Sequence, residues 1–361
     1  IGGQYGLATN NISHKDVKSV EVMENHQPVK ALEGIEFPEE AGINLKLKED
    51  ACSRWVGVAK AAAGVQPFLY DGSLFTMRIA PKIQNMFTLK ADNTGWNPVN
   101  EIREHDFDDM FSSDYISNLW TEYIAADMVS APLSEKRTRD NLSWLANAIA
   151  AWKKGDASMR LKLNYMGDRL DYNSGMTTNY FSQQIPDFVQ NNSMRTQEHD
   201  LSAQFYSQIN KRGYYLKDKL TVSGNLSNSN SVVSGTVDIA QRVNRKEFSA
   251  LNDLKLVKRN EKRLFSLISR NDFRYRPDRL MVCGEEDATQ SIGTTDFRST
   301  TETQFGRMSR FWKYFVTAGV DLNYHHLNLN LIGMEDFDNS GVYDTFLSNI
   351  YATPQINFER N

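Results

Sequence analysis

The sequence predicts an all-β fold whose main part is a transmembrane antiparallel up-and-down β-barrel. Three observations support this prediction: long segments in which apolar and polar residues alternate, connections that are short and long in turn, and aromatic residues near the segment ends. We expect about twelve strands, near residues 55–64, 73–81, 84–92, 140–152, 157–168, 199–210, 215–227, 247–258, 263–276, 297–305, 311–324 and 350–360.

Alternation with a period of two residues identifies these strands and indicates their length. In the segment 158–165, every second residue is apolar, namely Met159, Leu161, Leu163 and Tyr165. The longest apolar series occupies alternate positions from Trp312 to Tyr324, which corresponds to about 40 Å of strand. Strands of soluble proteins usually have about five or six residues, whereas a tilted membrane strand needs about nine to eleven. The length therefore favours a membrane protein.

The connections between the predicted strands alternate strictly in length. Short turns are expected at 153–156, 211–213, 260–263 and 306–310, and long polar loops at 169–197, 228–246, 277–296 and 325–349. In an up-and-down barrel, every second connection lies on the same side. Outer-membrane barrels have short periplasmic turns and longer extracellular loops. The pattern therefore predicts a multi-pass β-barrel in a bacterial outer membrane.

Composition is compatible with two classes of β protein. Hydrophobic residues make up 40% of the chain and the mean hydropathy is −0.53, as expected for a polar soluble protein and equally for a membrane barrel, in which only alternate residues face lipid. Aromatic residues near strand ends favour the barrel, because such rings prefer the membrane interface; they are Trp55, Trp144, Trp152, Tyr165, Phe273, Tyr275, Trp312 and Tyr324. A β-sandwich with aromatic core residues is the alternative.

Charge and cysteine content exclude several function classes. The net charge of −4 gives no reason to expect a nucleic-acid partner. Cys52 and Cys283 lie far apart and belong to no metal-binding or disulfide motif. We find no catalytic constellation and no phosphate-binding loop, so we expect neither an enzyme nor a cofactor.

The N-terminal residues differ in pattern from the rest of the chain. Residues 16–24 alternate as a strand, residues 26–34 form a short helix with Pro28 in its first turn, and residues 41–48 form a second strand. This order resembles the end of the plug domain of TonB-dependent receptors, where a strand similar to I-E-V-L-x-G-P precedes a short helix and a strand similar to G-V-I-N-I-x-T-K. Here the two motifs correspond to Val20-Glu21-Val22-Met23 and Gly42-Ile43-Asn44-Leu45-Lys46-Leu47-Lys48. The sequence Glu24-Asn25-His26-Gln27-Pro28 replaces the Gly-Pro turn of many members and resembles Bacteroidota outer-membrane proteins.

The resemblance divides the chain into two expected domains. Residues 1–52 would be the C-terminal part of the plug and residues 53–361 the N-terminal half of a barrel, which has 22 strands in this family. Because both chain ends interrupt these domains, we expect a fragment of a longer protein. The resemblance implies a receptor that imports a nutrient, such as a glycan, peptide or chelate, past the plug. Its implied partners are outer-membrane lipid, a TonB-type inner-membrane protein that supplies energy and, as in glycan-importing members, a surface lipoprotein.

Two sets of residues are candidates for function. The long loop from Asp92 to Asp140 carries aromatic residues that would contact substrate or pack the loop as a lid: Trp96, Phe107, Phe111, Tyr115, Trp120 and Tyr123. The polar positions of the strands would line a lumen or hold the plug; they include Arg160, Lys162, Gln204, Gln208, Arg270 and Arg274, with Lys219 and Asp272.

Three further features are weaker candidates for function. His325 and His326 could suggest a metal site, but the pair has no accompanying carboxylate or cysteine pattern. The cluster Asp106, Asp108 and Asp109 could suggest calcium, although it lacks the regular spacing of about six oxygen ligands. We expect Arg169 to form an ion pair at a strand end.

Two other functions remain open on the sequence alone. The first is a structural or assembly barrel in the outer membrane whose plug does not move. The second is a soluble β-rich binding module, in which the alternating apolar faces would pack against each other.

Overall fold

The structure is a computed structural model that describes residues 15, 17–23, 29–32, 42–48, 54–80, 82–97, 124, 138–181, 188–235, 238–260, 262–308, 312–333 and 340–358. Its fourteen regular elements are all β-strands. They are β1 (Val17–Met23), β2 (Gly42–Leu47), β3 (Trp55–Gly64), β4 (Leu69–Ile79), β5 (Ile83–Asp92), β6 (Asp140–Lys154), β7 (Ala157–Thr178), β8 (Phe188–Lys211), β9 (Tyr214–Gly235), β10 (Ile239–Asn260), β11 (Arg263–Cys283), β12 (Ala288–Met308), β13 (Trp312–Ile332) and β14 (Gly341–Phe358).

The strands form two sheets. β1 and β2 pair with each other, and β3 to β14 form one twelve-stranded antiparallel sheet in which each strand pairs with its neighbours in sequence. This arrangement confirms the predicted all-β, up-and-down order. β3 and β14 are the two edge strands, so the described sheet is open. Within the described residues, no helix is long and apolar enough to cross a membrane.

The connections at one end of the sheet are uniformly short, whereas those at the other end range from three to 47 residues. At one end, which we call the short-turn end, the connections 80–82, 155–156, 212–213, 261–262 and 309–311 have two or three residues. At the other, the long-loop end, the connections are 65–68, 93–139, 179–187, 236–238, 284–287 and 333–340. The four predicted short turns all lie at the short-turn end.

The predicted long loops were wrong in extent, because most of their residues continue the strands. β7 to β13 have 21 to 24 residues each and run through the polar stretches that were expected to be loops. Ser, Thr and Asn favour turns when they bond to their own backbone. Here some bond across strands instead, as Ser231 Oγ does to Asn192 Oδ1 at 3.2 Å. The paired backbone and these contacts maintain the sheet.

The strand register divides the side chains of the large sheet between two faces, because successive residues point to opposite sides. We call one side the apolar face; it is the side of Leu161 in β7, Leu201 in β8, Leu220 in β9 and Val316 in β13. The other side is the polar face. Its residues are less exposed: Lys162 is 4% exposed, whereas its neighbour Leu163 on the apolar face is 44% exposed.

The N-terminal strands occur where the sequence predicts them, as β1 and β2. The predicted helix at 26–34 lies mostly outside the described residues, and its described part, residues 29–32, forms a turn in which Leu32 N donates to Val29 O at 2.9 Å. This turn packs on the polar face near the short-turn end. Its apolar side chains form a buried cluster with residues of the large sheet: Val29, Ala31, Leu32, Tyr215, Val257, Leu264 and Phe315.

Candidate functional site: the polar face

Charged side chains of both signs lie side by side on the polar face of β10 and β11. Arg270 Nε lies 2.7 Å from Asp253 Oδ1, and Arg274 Nε lies 3.5 Å from Glu247 Oε1. Both ion pairs connect the two strands, and their side chains are between about a fifth and a third exposed. The face therefore presents charged groups that already have protein partners and remain within reach of solvent.

Further from the short turns, the ion pairs of this face are buried. Arg276 Nε lies 3.2 Å from Asp278 Oδ2, and Asp278 is 3% exposed. On β12, Asp296 is also 3% exposed and contacts His325 Nδ1 of β13. Because an isolated buried charge is strongly unfavourable, each of these carboxylates requires such a partner. On these strands the polar face is thus a hydrogen-bonded, charged surface. Three buried apolar clusters lie on the same face, one of them on β4, β5 and β6 (Phe75, Met77, Met86 and Ile149).

Neutral polar side chains continue this surface across β6 to β9. Asn147 Nδ2 donates to Asn164 Oδ1, and Asn164 Nδ2 donates to Ser202 Oγ at 3.0 Å. On the next strand pair, Asn225 Nδ2 donates to Glu198 Oε1 at 2.7 Å. Side-chain hydrogen bonds therefore connect each of these four strands to the next on one face.

The long connection 93–139 is fixed to the polar face where it leaves β5. Both carboxylate oxygens of Asp92 accept hydrogen bonds from Thr94, from N at 2.8 Å and from Oγ1 at 2.9 Å. Asn141 of β6 accepts from Gly95 N at 2.7 Å and donates to Trp96 O at 3.2 Å. Asp92 is 2% exposed and Asn141 is 4% exposed, so these bonds form a buried anchor.

The same anchor holds the other end of the connection. Asn141 Nδ2 donates to Ser143 Oγ, Ser143 Oγ donates to Asp168 Oδ1 at 2.6 Å, and Arg139 forms an ion pair with Asp168. The side chains of Arg139 and Asp168 are 10% and 11% exposed. Residues from β5, β6 and β7 together therefore define where the connection starts and ends.

Between residues 98 and 137, the structure describes Ile124, which shows where this point of the connection lies. Its side chain is 4% exposed and packs with Val243 of β10 and Ile292 of β12, and its backbone oxygen accepts a hydrogen bond from Arg245 Nη2. These residues belong to the polar face at the long-loop end. The connection leaves the sheet at β5 and β6 but contacts it again at β10 and β12, so at this point it lies over the polar face.

The predicted aromatic residues of the loop are mostly outside the described residues. Trp96 is the exception: Lys90 Nζ lies 3.7 Å from the centroid of its ring, and the ring is partly buried. Outside the described ranges lie Phe107, Phe111, Tyr115, Trp120 and Tyr123, together with the acidic cluster at Asp106, Asp108 and Asp109. Substrate contact by these aromatic residues stays a prediction.

The predicted polar strand residues all share one face. The register places Arg160, Lys162, Gln204, Gln208, Lys219, Arg270, Asp272 and Arg274 on the polar face. Several of them contact other residues there: Arg160 Cζ lies 4.9 Å from the centroid of the Tyr206 ring, and Gln208 Nε2 donates to Tyr215 Oη at 3.4 Å. Their predicted contact with a lumen or a plug stays a prediction.

The two adjacent histidines have separate partners on opposite faces. His325 Nδ1 contacts Asp296 on the polar face, and His326 Nδ1 lies 2.8 Å from Asp344 Oδ1 on the apolar face. They cannot share one ion. In the part of the chain that the structure describes, no group of three or more His, Cys, Asp or Glu side chains is placed to hold a metal. The predicted ion pair of Arg169 is confirmed, with Asp171 Oδ2 at 3.0 Å, but its expected place at a strand end was wrong, because β7 continues to Thr178.

Sequence reasoning missed the loop anchor around Asp92 and Asn141. A signal was present, because Asp92-Asn93-Thr94-Gly95 directly follows an alternating strand, and an Asp at that point commonly bonds to the backbone two residues later. Nothing in the sequence indicates that Asn141, which is 46 residues away from Gly95, completes the same network.

Comparisons with known proteins do not assign this chain to a family, because no family model and no curated protein matches it.

Proposed function

We propose that the chain forms part of the barrel of an outer-membrane receptor that imports a polar nutrient past a plug made by its N-terminal residues. The observation that carries the proposal is that the large sheet exposes the side chains of its apolar face, whereas those of its polar face are less exposed. Exposed side chains of the apolar face include Leu74, Phe87, Leu89, Leu163, Leu201, Leu226, Phe248, Phe305, Tyr314 and Val316.

Water is a poor solvent for this apolar face. Soluble monomers rarely expose continuous apolar patches larger than a few hundred Å², and here exposed apolar side chains occur on this face from β3 to β14. On β9 to β12, polar side chains interrupt them, among them Asp218, Asn252, Asn271 and Ser299. Lipid removes this difficulty, since side chains that face hydrocarbon stay out of water. A bilayer also requires every backbone polar group to be paired, so a partner strand would complete the edges of β3 and β14.

The height of the apolar face matches a membrane. On β13 the described side chains of this face are apolar from Tyr314 to Tyr324, a distance of about 33 Å along the strand, and the series in the sequence begins at Trp312. With the tilt of about 40° typical of barrels, the described part corresponds to about 25 Å, the usual height of the apolar band. Trp152 and Trp144 bracket the apolar face of β6 in the same way. Aromatic rings at both limits are typical of the two membrane interfaces.

Three features support import past a plug. The turn at 29–32 packs on the polar face near the short-turn end, Ile124 of the connection 93–139 packs on the same face at the other end, and charged groups line the face between them. A polar solute could exchange hydrogen bonds with such a surface. TonB coupling, a surface lipoprotein and the class of nutrient rest on the family resemblance of residues 16–48.

Detergent dependence of the full-length gene product tests the membrane proposal. The protein would be extracted from isolated outer membranes and separated by gel electrophoresis with and without prior boiling. We expect that it needs detergent and that it migrates faster before boiling, because a closed barrel stays compact in the gel. A protein that is soluble without detergent and shows no heat-dependent shift would overturn the proposal and favour the soluble binding module.

A barrel with an immobile plug is the second candidate, and the close fit of the 29–32 turn favours it. Ala31 is 0% exposed, Lys30 N donates to Asn210 Oδ1 at 3.0 Å, and Arg259 Nη1 donates to Ala31 O at 3.3 Å. A turn held this well could serve as a permanent part of the barrel wall.

Cysteine labelling in cells distinguishes the two candidates. In a background with Cys52 and Cys283 replaced by serine, Leu32→Cys would place a thiol at a position that is 4% exposed, and Lys30→Cys would place one at an exposed position of the same turn. An importer predicts that a periplasmic maleimide labels Leu32→Cys faster in energised cells than after a protonophore, with Lys30→Cys unchanged. Equal labelling of Leu32→Cys in both conditions would identify the immobile plug.

A further inference from the structure

A groove of about 480 Å³ lies on the apolar face at the short-turn end, between β10 and β13. Its wall is apolar and largely aromatic, and its rim is cationic. The wall residues are Phe265, Phe305, Tyr314 and Val316, and the cations are Lys258, Arg263 and Arg307. The groove is therefore amphipathic, and it lies where the apolar band meets the turns.

The register places the lining residues in two rows, with both arginines in the row nearer the turns and Lys258 in the row of the two phenylalanines. Lys258, Phe265, Phe305 and Val316 are cross-strand partners in one row, and Asn260, Arg263, Arg307 and Tyr314 form the next row toward the turns. The two rows lie two residues apart on the same face, which is about 7 Å. A single elongated molecule can therefore contact the cations with one end and the aromatic wall with the other.

The cations of the rim are unfavourably placed with respect to each other. Arg263 and Arg307 are direct partners across β11 and β12, and like charges in that relation destabilise a sheet. None of the ten residues that line the groove is acidic. Among the described residues, neither arginine has an ion pair. An anion between the two guanidinium groups would remove the repulsion, and arginine binds phosphate through two parallel hydrogen bonds.

We propose that this groove is a binding site for one anionic glycerophospholipid. The lipid phosphate lies between Arg263 and Arg307, and an acyl chain lies along Phe265, Phe305 and Val316. The inference rests on the proposed membrane function, which places the short-turn end at the periplasmic leaflet. A free anion would use only the cationic row, whereas a lipid also fills the apolar wall, and basic pockets at a membrane surface are known to select anionic headgroups.

Lipid retention by the purified full-length protein tests the site. Native mass spectrometry would count lipids carried out of detergent micelles that contain either phosphatidylglycerol or phosphatidylcholine. The wild type is expected to retain one phosphatidylglycerol in preference to phosphatidylcholine. Each arginine replaced, by Arg263→Gln or Arg307→Gln, is expected to weaken this retention about fivefold. The matched control is Lys153→Gln with Lys154→Gln, which removes two exposed cations at the same end of the sheet outside the groove.

Equal retention of the two lipids by the wild type would overturn the lipid site, and so would an equal loss of lipid retention in the control variant. Displacement of the retained lipid by inorganic phosphate would also overturn it, because it would identify a site for free anions. Failure of the proposed function is recognised separately, because such a protein would show no heat-dependent shift and would not require detergent. A protein that shows the shift but no lipid preference contradicts only the present inference.

Discussion

The two halves of strand β9 have the same continuous backbone pairing but different side-chain patterns. In β9, the half next to the short turns alternates, with Leu216, Leu220 and Val222 on one face and only Asp218 breaking the pattern there. The half next to the long loops, from Ser227 to Ser234, carries mostly Ser and Asn on both faces. The pairing with β8 and β10 continues through both halves without interruption.

Backbone pairing and an apolar face are two separate properties of a strand, and alternation in the sequence does not distinguish them. Backbone hydrogen bonds to both neighbours are sufficient to make a strand, whereas an apolar face is required only where the surroundings are apolar. If the apolar face meets lipid, as we propose, alternation in this sequence indicates the depth of the membrane. It does not indicate where a strand ends. By this interpretation, the half of β9 next to the long loops extends the polar face by about 30 Å beyond the apolar band.

The largest expected effect comes from placing one charge at two heights on one face of β13. Val320 lies in the middle of the apolar face, and Asn328 lies eight residues further on, in the polar half of the same face. If Val320 faces the bilayer midplane, Val320→Arg should lower the free energy of unfolding by about 2–4 kcal/mol, and Asn328→Arg by about 0–1 kcal/mol. Denaturant-induced unfolding in lipid vesicles, followed by the heat-dependent gel shift, measures both variants.

An equal loss of stability in the two arginine variants would contradict this prediction. Equal losses would mean that both positions have similar surroundings, and the exposed apolar face of the sheet would need an explanation other than lipid.

A smaller effect is expected at the loop anchor, where the polar face holds the connection 93–139. Asn141→Ala removes the hydrogen bonds to Gly95 and Trp96 and leaves buried backbone groups without their partner. The expected loss is about 1–3 kcal/mol, which raises the population of detached loop roughly 5- to 150-fold. The rate of limited proteolysis within residues 93–139 reports this population.

The control for the anchor is Asn173→Ala, an exposed asparagine in the polar half of β7. It should leave the rate of cleavage in 93–139 unchanged. Equal acceleration by both variants would contradict the assignment of Asn141 as an anchor and would indicate a general loss of stability.

The sequence was sufficient to predict the strands, their order and the division into two faces. Period-two alternation is a local property, so Leu161 and Lys162 were assigned to opposite faces from their neighbours alone. The short turns were also predictable, because residues such as Gly155 and Gly213 interrupt the alternation. Gly155 adopts a φ of 61°, a conformation that favours glycine.

The strand ends and the site contacts were not predictable, because they depend on residues far apart in sequence. The segment from Ser227 to Ser234 has the composition of a loop, and only pairing with β8 and β10 makes it a strand. The contact of Ile124 with Val243 and Ile292 joins residues more than a hundred positions apart. Such contacts follow from the curvature and register of the whole sheet.

The smallest expected effect concerns Asp344, which lies on the apolar face of β14 near the long-loop end. His326 Nδ1 lies 2.8 Å from Asp344 Oδ1, which also accepts a hydrogen bond from Tyr324 Oη at 2.9 Å. These two bonds, of which the one to His326 has the larger effect, hold the pKa of Asp344 below its ordinary value.

A lowered pKa in the folded state means that the ionised carboxylate stabilises the fold above its unfolded pKa, near 4. This contribution should be lost as the pH falls through the lower, folded value. Asp344→Asn should therefore make the protein slightly less stable than the wild type at pH 6, and the difference should be smaller at pH 3, which lies below the unfolded pKa. Thermal unfolding in detergent at the two pH values measures the difference. A gap of equal size at both pH values would show that Asp344 acts by packing and not by its charge.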